Sequence, residues 1–398
     1  MPTYPHYAIR QLILKVASRC NLNCSYCYVY NKADSTWKTR PALMSDEVFE
    51  AALARMTRHC HFSGQDRVSI AFHGGEPCLI GVGQFDAWCL RARKALGEVA
   101  SVDLTIQTNG TMLDESWLEL ITKHRVRVGI SMDGPQPVHD IFRIDHAGRG
   151  SYFQVERGIK VLQKAQVPFG VLCVIPLGAD PLAVHRHFLS LGCTSITYLL
   201  PHFTHDTIAP VRQRYGATPC ADFLIPIFEN WWFNSTMDIR IEDLRNIARI
   251  ILGGSSLIET LGNQPPLYVF VETDGAIEGL DNLRACDEGL ASINLNVRDA
   301  DFKEILAQQT IHRAAIFRGM PLPSACSACP ERDTCAGGYL PHRYSLTRGF
   351  DNPSVWCADL LKLFSHVRLR LDVTVEDTYT RRQALYGDRA PLTAVGGA

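Results

Sequence analysis

The sequence carries almost no net charge: 40 Lys and Arg stand against 41 Asp and Glu, for a formal −1, and only 20% of its 398 residues are charged. That balance excludes an acidic or basic tail and a general polyanion binder, so no nucleic-acid partner is expected. It also lacks any apolar run long enough to span a bilayer. The opening MPTYPHYAIRQLILKVASRC has neither the basic flank, the apolar core nor the small-residue cleavage site of a signal peptide. No internal repeat and no long low-complexity segment breaks the chain. With 46% hydrophobic residues, the expectation is a cytoplasmic globular protein without a membrane partner, with one large domain and a smaller one.

Cysteine is abundant instead. Fourteen are present, and in a reducing compartment they are not expected to form disulfides. Cys60, Cys78, Cys89, Cys173, Cys193 and Cys220 stand alone and read as small buried hydrophobes. The others gather at 20–27 and 326–357, with Cys286 between. Clustered cysteines of this kind point to metal.

From residue 7 to about 200, short apolar segments alternate with helical patterns. Strands are expected at 9–17, 67–73, 101–108, 126–132, 168–175 and 194–200, apolar and β-branched as strands buried on both faces are. A helix is expected after the cap Ser45, with others at DESWLELITKH and SYFQVERGIKVLQKA. The repeat implies a parallel sheet, barrel-like or doubly wound. The unusual residues all fall at carboxyl ends of strands: Cys20–Cys27 after the first, HGGEP (73–77) after the second, QTNG (107–110) after the third, SMDGP (131–135) after the fourth. Those ends share one face in parallel α/β folds, and that face carries the site. Beyond 210, a helix, loop and second helix lead to a β-hairpin around Thr273–Gly275, the second cysteine group and a closing helical stretch.

Thiolates select zinc, copper(I) or iron–sulfur clusters. Structural zinc takes four ligands, whereas C-x3-C-x2-C offers three; a cubane [4Fe–4S] cluster held by three cysteines keeps one iron open for a small molecule. A zinc knuckle with a distant fourth ligand is the alternative. In the second group, Cys326-x2-Cys329-x5-Cys335 with Cys357 supplies four ligands, for a closed cluster or for zinc.

Cys20-x3-Cys24-Ser-Tyr-Cys27, with Tyr26 before the last cysteine, resembles the signature of the radical S-adenosylmethionine (SAM) enzymes, over roughly residues 7–200. The resemblance implies a partial (β/α)6 TIM-like barrel. It also implies that Cys20, Cys24 and Cys27 hold a [4Fe–4S] cluster whose open iron chelates SAM. One electron then releases a 5′-deoxyadenosyl radical that abstracts a substrate hydrogen. Gly74-Gly75-Glu76-Pro77 is similar to the family's SAM-contacting loop, with the Glu accepting from the SAM ammonium. Thr108-Asn109-Gly110 is similar to its ribose segment, and Ser131, with Asp133 close by, to its fourth-strand contact. Arg143 suits the SAM carboxylate, with Arg157 competing. The second cysteine group resembles a SPASM domain, implying an auxiliary [4Fe–4S] cluster on Cys326, Cys329, Cys335 and Cys357. Full SPASM domains carry another cluster. Here Tyr339 in CAGGY and Leu280 in GLDNLRAC replace two of its expected ligands, leaving Cys286 as a buried thiol and one auxiliary cluster in all.

The domains expected are a radical SAM partial barrel at 1–210, a helical linker region at 211–265, a SPASM-like domain with closing helix at 266–385 and a mobile tail at 386–398. GGYLPHRYS and GFDNPSVWCADL further resemble the maturases that build three-residue cyclophanes in ribosomal peptides. The expected substrate is therefore a precursor peptide, oxidised at a Cβ and crosslinked to an aromatic ring, with a flavodoxin or ferredoxin as electron donor. The alternatives are thioether formation, epimerisation or formylglycine formation and, from another class, a zinc-stabilised binding protein. Asp274, Asp281, His342 and Tyr344 are candidate catalytic residues, and Arg343 a candidate peptide contact. Because the first strand starts near residue 9, no separate leader-binding domain is expected before it.

Overall fold

Six of the seven residues of QLILKVA are buried where they form β1 (Gln11–Ala17), as an apolar strand enclosed on both faces requires. In this computed structural model, residues 4–234, 238–262 and 264–387 are described. The strands that follow are β2 (Arg67–Gly74), β3 (Ser101–Thr108), β4 (Arg127–Ser131), β5 (Phe169–Val174), β6 (Ser195–Leu199), β7 (Arg240–Ile241), β8 (Tyr268–Val271), β9 (Ala276–Glu278) and β10 (Ser292–Asn296). The first six fall within the expected segments to within two residues, except that β2 gains Gly74.

The chain separates into two compact units. The first draws its described residues from Met1–Leu172, Leu191–Cys193 and Leu267–Phe317, the second from Cys173–Ser190, Thr194–Pro266 and Arg318–Ala398. In the first, strands run in the order β10-β9-β8-β1-β2-β3-β4-β5. Strands β1 to β5 are parallel, in register from Gln11↔Ser69 through Ser131↔Leu172. The helices between them start as the sequence indicates. The Ser45 hydroxyl accepts from Val48 N–H at the head of Asp46–Ser63, and Asp114 caps Glu115–Lys123 through Ser116 and Trp117 N–H. Phe49 stacks on Trp88 at 4.4 Å in the layer against the sheet.

One placement differs from expectation. The hairpin assigned to the C-terminal domain continues the sheet of the first unit: β8 lies parallel to β1, from Gln11↔Tyr268 to Leu14↔Val271. Strand β9 returns antiparallel to β8, and β10 antiparallel to β9. The physical reason is β1's second edge, whose backbone groups need a partner; YVFV supplies one and is itself largely buried.

In the second unit β6 pairs with β7 in parallel. Helices Pro219–Phe233, Glu242–Ile251 and Cys357–Leu371 bury apolar side chains in it, and Val375–Tyr386 follows. Trp356, wholly buried, donates Nε1–H to Pro201 O at 2.9 Å. Asp359 accepts from Cys220 and Ala221 N–H at 2.7 and 3.1 Å, fixing the head of Pro219–Phe233. Of the expected tail, Tyr386 ends the last helix, and residues from 388 on lie outside the described residues. Among the described residues no helix is long and apolar enough to cross a membrane.

Candidate functional site

The three cysteines leave β1 on a tight loop: Cys27 N–H donates to Cys24 O at 2.9 Å, and Leu22 N–H to Cys20 Sγ at 3.4 Å. The end of β2 is bound against that loop's stem. Gly75 N–H donates to Ala17 O and Glu76 N–H to Arg19 O, at 2.7 and 3.0 Å. The glycines are dictated by this approach. A Cβ on Gly74, whose φ is +142°, would stand 2.3 Å from Ala17 O, and one on Gly75 would meet Tyr30 Oη at 1.9 Å and Arg19 O at 2.2 Å. They admit the chain's own backbone.

Glu76 is fully buried. Its Oε1 accepts from Thr108 Oγ1 at 2.6 Å and Cys78 N–H at 3.0 Å, and its Oε2 from Asn109 N–H at 2.8 Å. Burial raises its pKa against the pull of these donors. Both oxygens clasp the end of β2 to that of β3. Pro77 opens the short turn that follows. Asn109 extends the clasp. Its Nδ2 donates to Asn21 Oδ1 at 2.8 Å and approaches Cys20 Sγ at 3.7 Å, while its Oδ1 accepts from Thr111 N–H and Oγ1. The ends of three strands are tied directly to the cysteine loop.

Tyr26, inside that loop, donates to Asp133 Oδ2 at 2.6 Å and accepts from Arg143 Nη1 at 2.7 Å. Arg143 is 7% exposed, and its Nε finds no acceptor among the described residues. A buried guanidinium with an open donor suits an anionic group such as an amino-acid carboxylate. Ser131 Oγ accepts from Gln107 Nε2 at 2.9 Å. The competing Arg157 donates from Nη2 to Thr111 O at 3.4 Å.

A buried ion network adjoins the loop, and it was not anticipated from the sequence. Lys15 Nζ lies 3.1 Å from Glu272 and 3.0 Å from Asp281. Arg40 pairs with Glu272 and Glu278 at 2.8 Å. Arg284 bonds Asp34 at 2.8 Å, Glu272 at 3.0 Å and also Glu278. Burial works against the Lys15 charge, yet Asp281 and Glu272 hold its pKa above the ordinary value. The signal available was Lys15 itself, a lone charge in an apolar strand. Asp281, a candidate base, is engaged here, accepting also from Tyr28 Oη at 2.7 Å. Asp274, the other, is a turn residue that accepts from Ala276 N–H and lies 3.5 Å from Arg40 Nε.

Burial pushes the Cys20 thiol up to about 12, with the Glu76 charge adding to it. Cys24 and Cys27 are also raised by burial. All three are free thiols that a metal would deprotonate on binding. Among the described residues no three Cys, His, Asp or Glu side chains converge on one ion's position. The donor set fits a [4Fe–4S] cluster, which spreads its thiolates over separate irons.

In the second unit Cys326, Cys329, Cys335 and Cys357 line one cavity, with Gly337 in its wall. The spacing C-x2-C-x5-C folds as two short turns. Cys329 N–H donates to Cys326 O, and Cys335 N–H to Glu331 O. Arg368 holds the intervening loop through Glu331 at 2.6 and 2.9 Å and Thr334 at 3.1 Å. Four free thiols around one cavity fit a closed cluster. Tyr339 and Leu280 are buried at 5% and 3% exposure, and Cys286 at 7%. His342 Nε2 lies 3.2 Å from His202 Nδ1; burial, then His202, drive its pKa well below the ordinary value. Tyr344 packs on Phe350 at 5.3 Å, and its carbonyl accepts from His205 N–H.

Residues 14–189 match the Radical SAM superfamily. The chain is 27% identical over 377 residues to the cysteine-type anaerobic sulfatase-maturating enzyme of Clostridium perfringens, covering 90% of this chain and 96% of that protein. It is 25% identical over 395 residues to the serine-type enzyme of Bacteroides thetaiotaomicron, covering 93% and 92%. The solved structure of native anSMEcpe with bound AdoMet and Cp18Cys peptide superposes with a TM-score of 0.75 at 25% identity, over 91% of this chain and 97% of that one. The α/β fold is that of the radical SAM enzymes, whose cofactors are SAM and [4Fe–4S] chemistry. Over residues 14–189 this chain is a radical SAM domain, homologous to that of the anaerobic sulfatase-maturating enzymes.

Proposed function

We propose that this chain is a radical SAM maturase that oxidises a side-chain Cβ of a peptide or protein. The observation that carries the reading is the clasp: Asn109 bonds Glu76, Asn21 and the Cys20 thiol at once. Three strand ends thereby form one site beside the cysteine loop. In this reading Cys20, Cys24 and Cys27 ligate a [4Fe–4S] cluster. The backbone of Gly74–Pro77, Asn109 and Ser131 border the SAM site, and Arg143 takes the SAM carboxylate. Bound together, cluster and SAM supply hydrogen-abstraction chemistry. Cys326, Cys329, Cys335 and Cys357 hold a second [4Fe–4S] cluster as an electron acceptor, and a flavodoxin or ferredoxin serves as donor.

Two products share the Cβ–H abstraction. The relatives are named as sulfatase-maturating enzymes over nearly the whole chain, which favours formylglycine formation. The replacement of two auxiliary ligands by Leu280 and Tyr339, both buried, favours the second reading, a cyclophane crosslink. The test is anaerobic turnover with SAM and dithionite on candidate peptides. Wild type should release 5′-deoxyadenosine, and the Cys20/Cys24/Cys27 triple-Ala variant none; release by that variant refutes the assignment. A hydrazide-reactive aldehyde identifies formylglycine, whereas loss of two hydrogens without a carbonyl, with fragmentation blocked between two residues, identifies the crosslink.

A further inference from the structure

Two arginines of the second unit that are buried or half-buried are neutralised by carboxylates within the fold. Arg212 pairs with Asp359 at 2.9 Å, and Arg368 with Glu331. Arg343 differs. It is 3% exposed, and its guanidinium bonds only carbonyls: Nε–H to Phe350 O at 3.1 Å and Nη2–H to Pro321 O at 2.9 Å. Among the described residues no carboxylate lies within ion-pair distance of it. Its nearest acidic influence, Asp351, is half-exposed and already accepts from Ser324 N–H and Oγ at 2.7 and 2.9 Å.

A buried, unpaired charge is among the costliest features a fold can contain, and carbonyl dipoles offset it only in part. The anion is to be sought nearby. Gly337, in the cavity wall with all four cysteines, is so close that a Cβ built on it would stand 3.8 Å from Arg343 Cζ. The groups whose charge acts on the guanidinium are Cys326 first, then Asp351, then Cys335.

We propose that Arg343 is the fixed counter-cation of the auxiliary site, there to balance the negative charge of four thiolates and to favour an added electron. The inference rests on the cluster assignment made above. Burial lowers the Arg343 pKa to about 10, which leaves the side chain cationic at neutral pH. A four-thiolate iron–sulfur cluster is anionic in both oxidation states and gains one more negative charge on one-electron reduction. Nearby charge is one of the factors that set its potential. A dry, fixed guanidinium therefore stabilises the reduced form more than the oxidised one. Arg332 also lines the cavity, but it is half-exposed, lies 3.7 Å from Asp333 and is open to screening by water.

The experiment uses the full chain with Cys20, Cys24 and Cys27 changed to Ala, so that iron and spectroscopic signals report the second site alone. Dithionite supplies the electron in a mediated anaerobic titration followed by electron paramagnetic resonance. Arg343→Gln keeps a donor for the carbonyls without the charge, and Arg343→Lys keeps the charge. The Gln variant should require a lower potential, by about tenfold in the ratio of reduced to oxidised cluster, or about 59 mV for one electron. The Lys variant should stay near the parent. Equal potentials in parent and Gln variant, equal shifts in both variants, or loss of iron from both while the parent keeps it would each overturn the proposal, the last two by making Arg343 a brace of the loop. A parent that binds zinc in place of iron refutes the cluster assignment underneath, a result the iron count reads independently of any potential.

Discussion

Replacing Glu76 tests whether the GGEP loop is built for the chain or for its ligand. In Glu76→Ala three donors lose their acceptor: Thr108 Oγ1–H, Cys78 N–H and Asn109 N–H. The site is fully buried, so water does not replace the carboxylate without a rearrangement. An unsatisfied buried donor costs about 1–3 kcal/mol, and the three are neighbours whose effects do not simply add. The Thr108 hydroxyl can turn elsewhere; the two backbone N–H groups cannot. An expected loss of about 3–5 kcal/mol follows, a large part of the stability of an ordinary domain. Glu76→Gln is milder. With its oxygen toward Thr108 and Cys78, its amide faces the Asn109 N–H donor to donor, for about 1–3 kcal/mol. Urea unfolding of the metal-free chain reads both, and equilibrium binding of SAM to the reconstituted chain is measured alongside. The reasoning is refuted if Glu76→Ala unfolds within about 0.5 kcal/mol of wild type while losing SAM, since Glu76 would then serve the ligand.

Gly75→Ala places a methyl 2.2 Å from the fixed Arg19 carbonyl as well as against Tyr30. It should cost about 1–3 kcal/mol by overpacking and lower the iron loaded at the adjacent Cys20 loop; normal iron content and stability would refute the close approach. Asp243 accepts from Tyr198 N–H at 2.6 Å, and burial pushes its pKa up to about 7, above the value near 4 of a free carboxyl. Raised in the fold, it contributes stability that is complete below about 4 and is lost as pH rises through about 7, by about 2–4 kcal/mol. Asp243→Asn should remove that loss. Unfolding at pH 5 and pH 8 checks it, and an identical pH trend in both proteins would refute it.

The strands were legible because each is a short apolar run closed by a polar or glycine-rich turn, and burial on both faces leaves no alternation to mislead. So were the helix starts, where Ser45 and Asp114 cap as their chemistry directs. The meeting of the motifs at the strand ends was legible too, since topology gathers the carboxyl ends of parallel strands on one face. The hairpin was not. That β8 lies beside β1 is a choice among available edges, and YVFV carries no mark of its partner. The partners within the site were equally hidden. Glu76 and Gly75 appear as a motif suited to a ligand, and the chain also engages both, through contacts between residues tens of positions apart. Asp281 reads as a candidate base, and its contacts with Lys15 and Tyr28 carry no mark in the sequence. Arg343 shows the same division. Its sequence neighbours, His342 and Tyr344, give no reason to separate it from any other arginine near a cysteine loop. Local sequence determined which residue types stand at each turn and strand end, because propensity, capping and covalent spacing act over a few residues. Only the tertiary structure decided which charges are paired, because pairing depends on distances that the folded backbone alone sets.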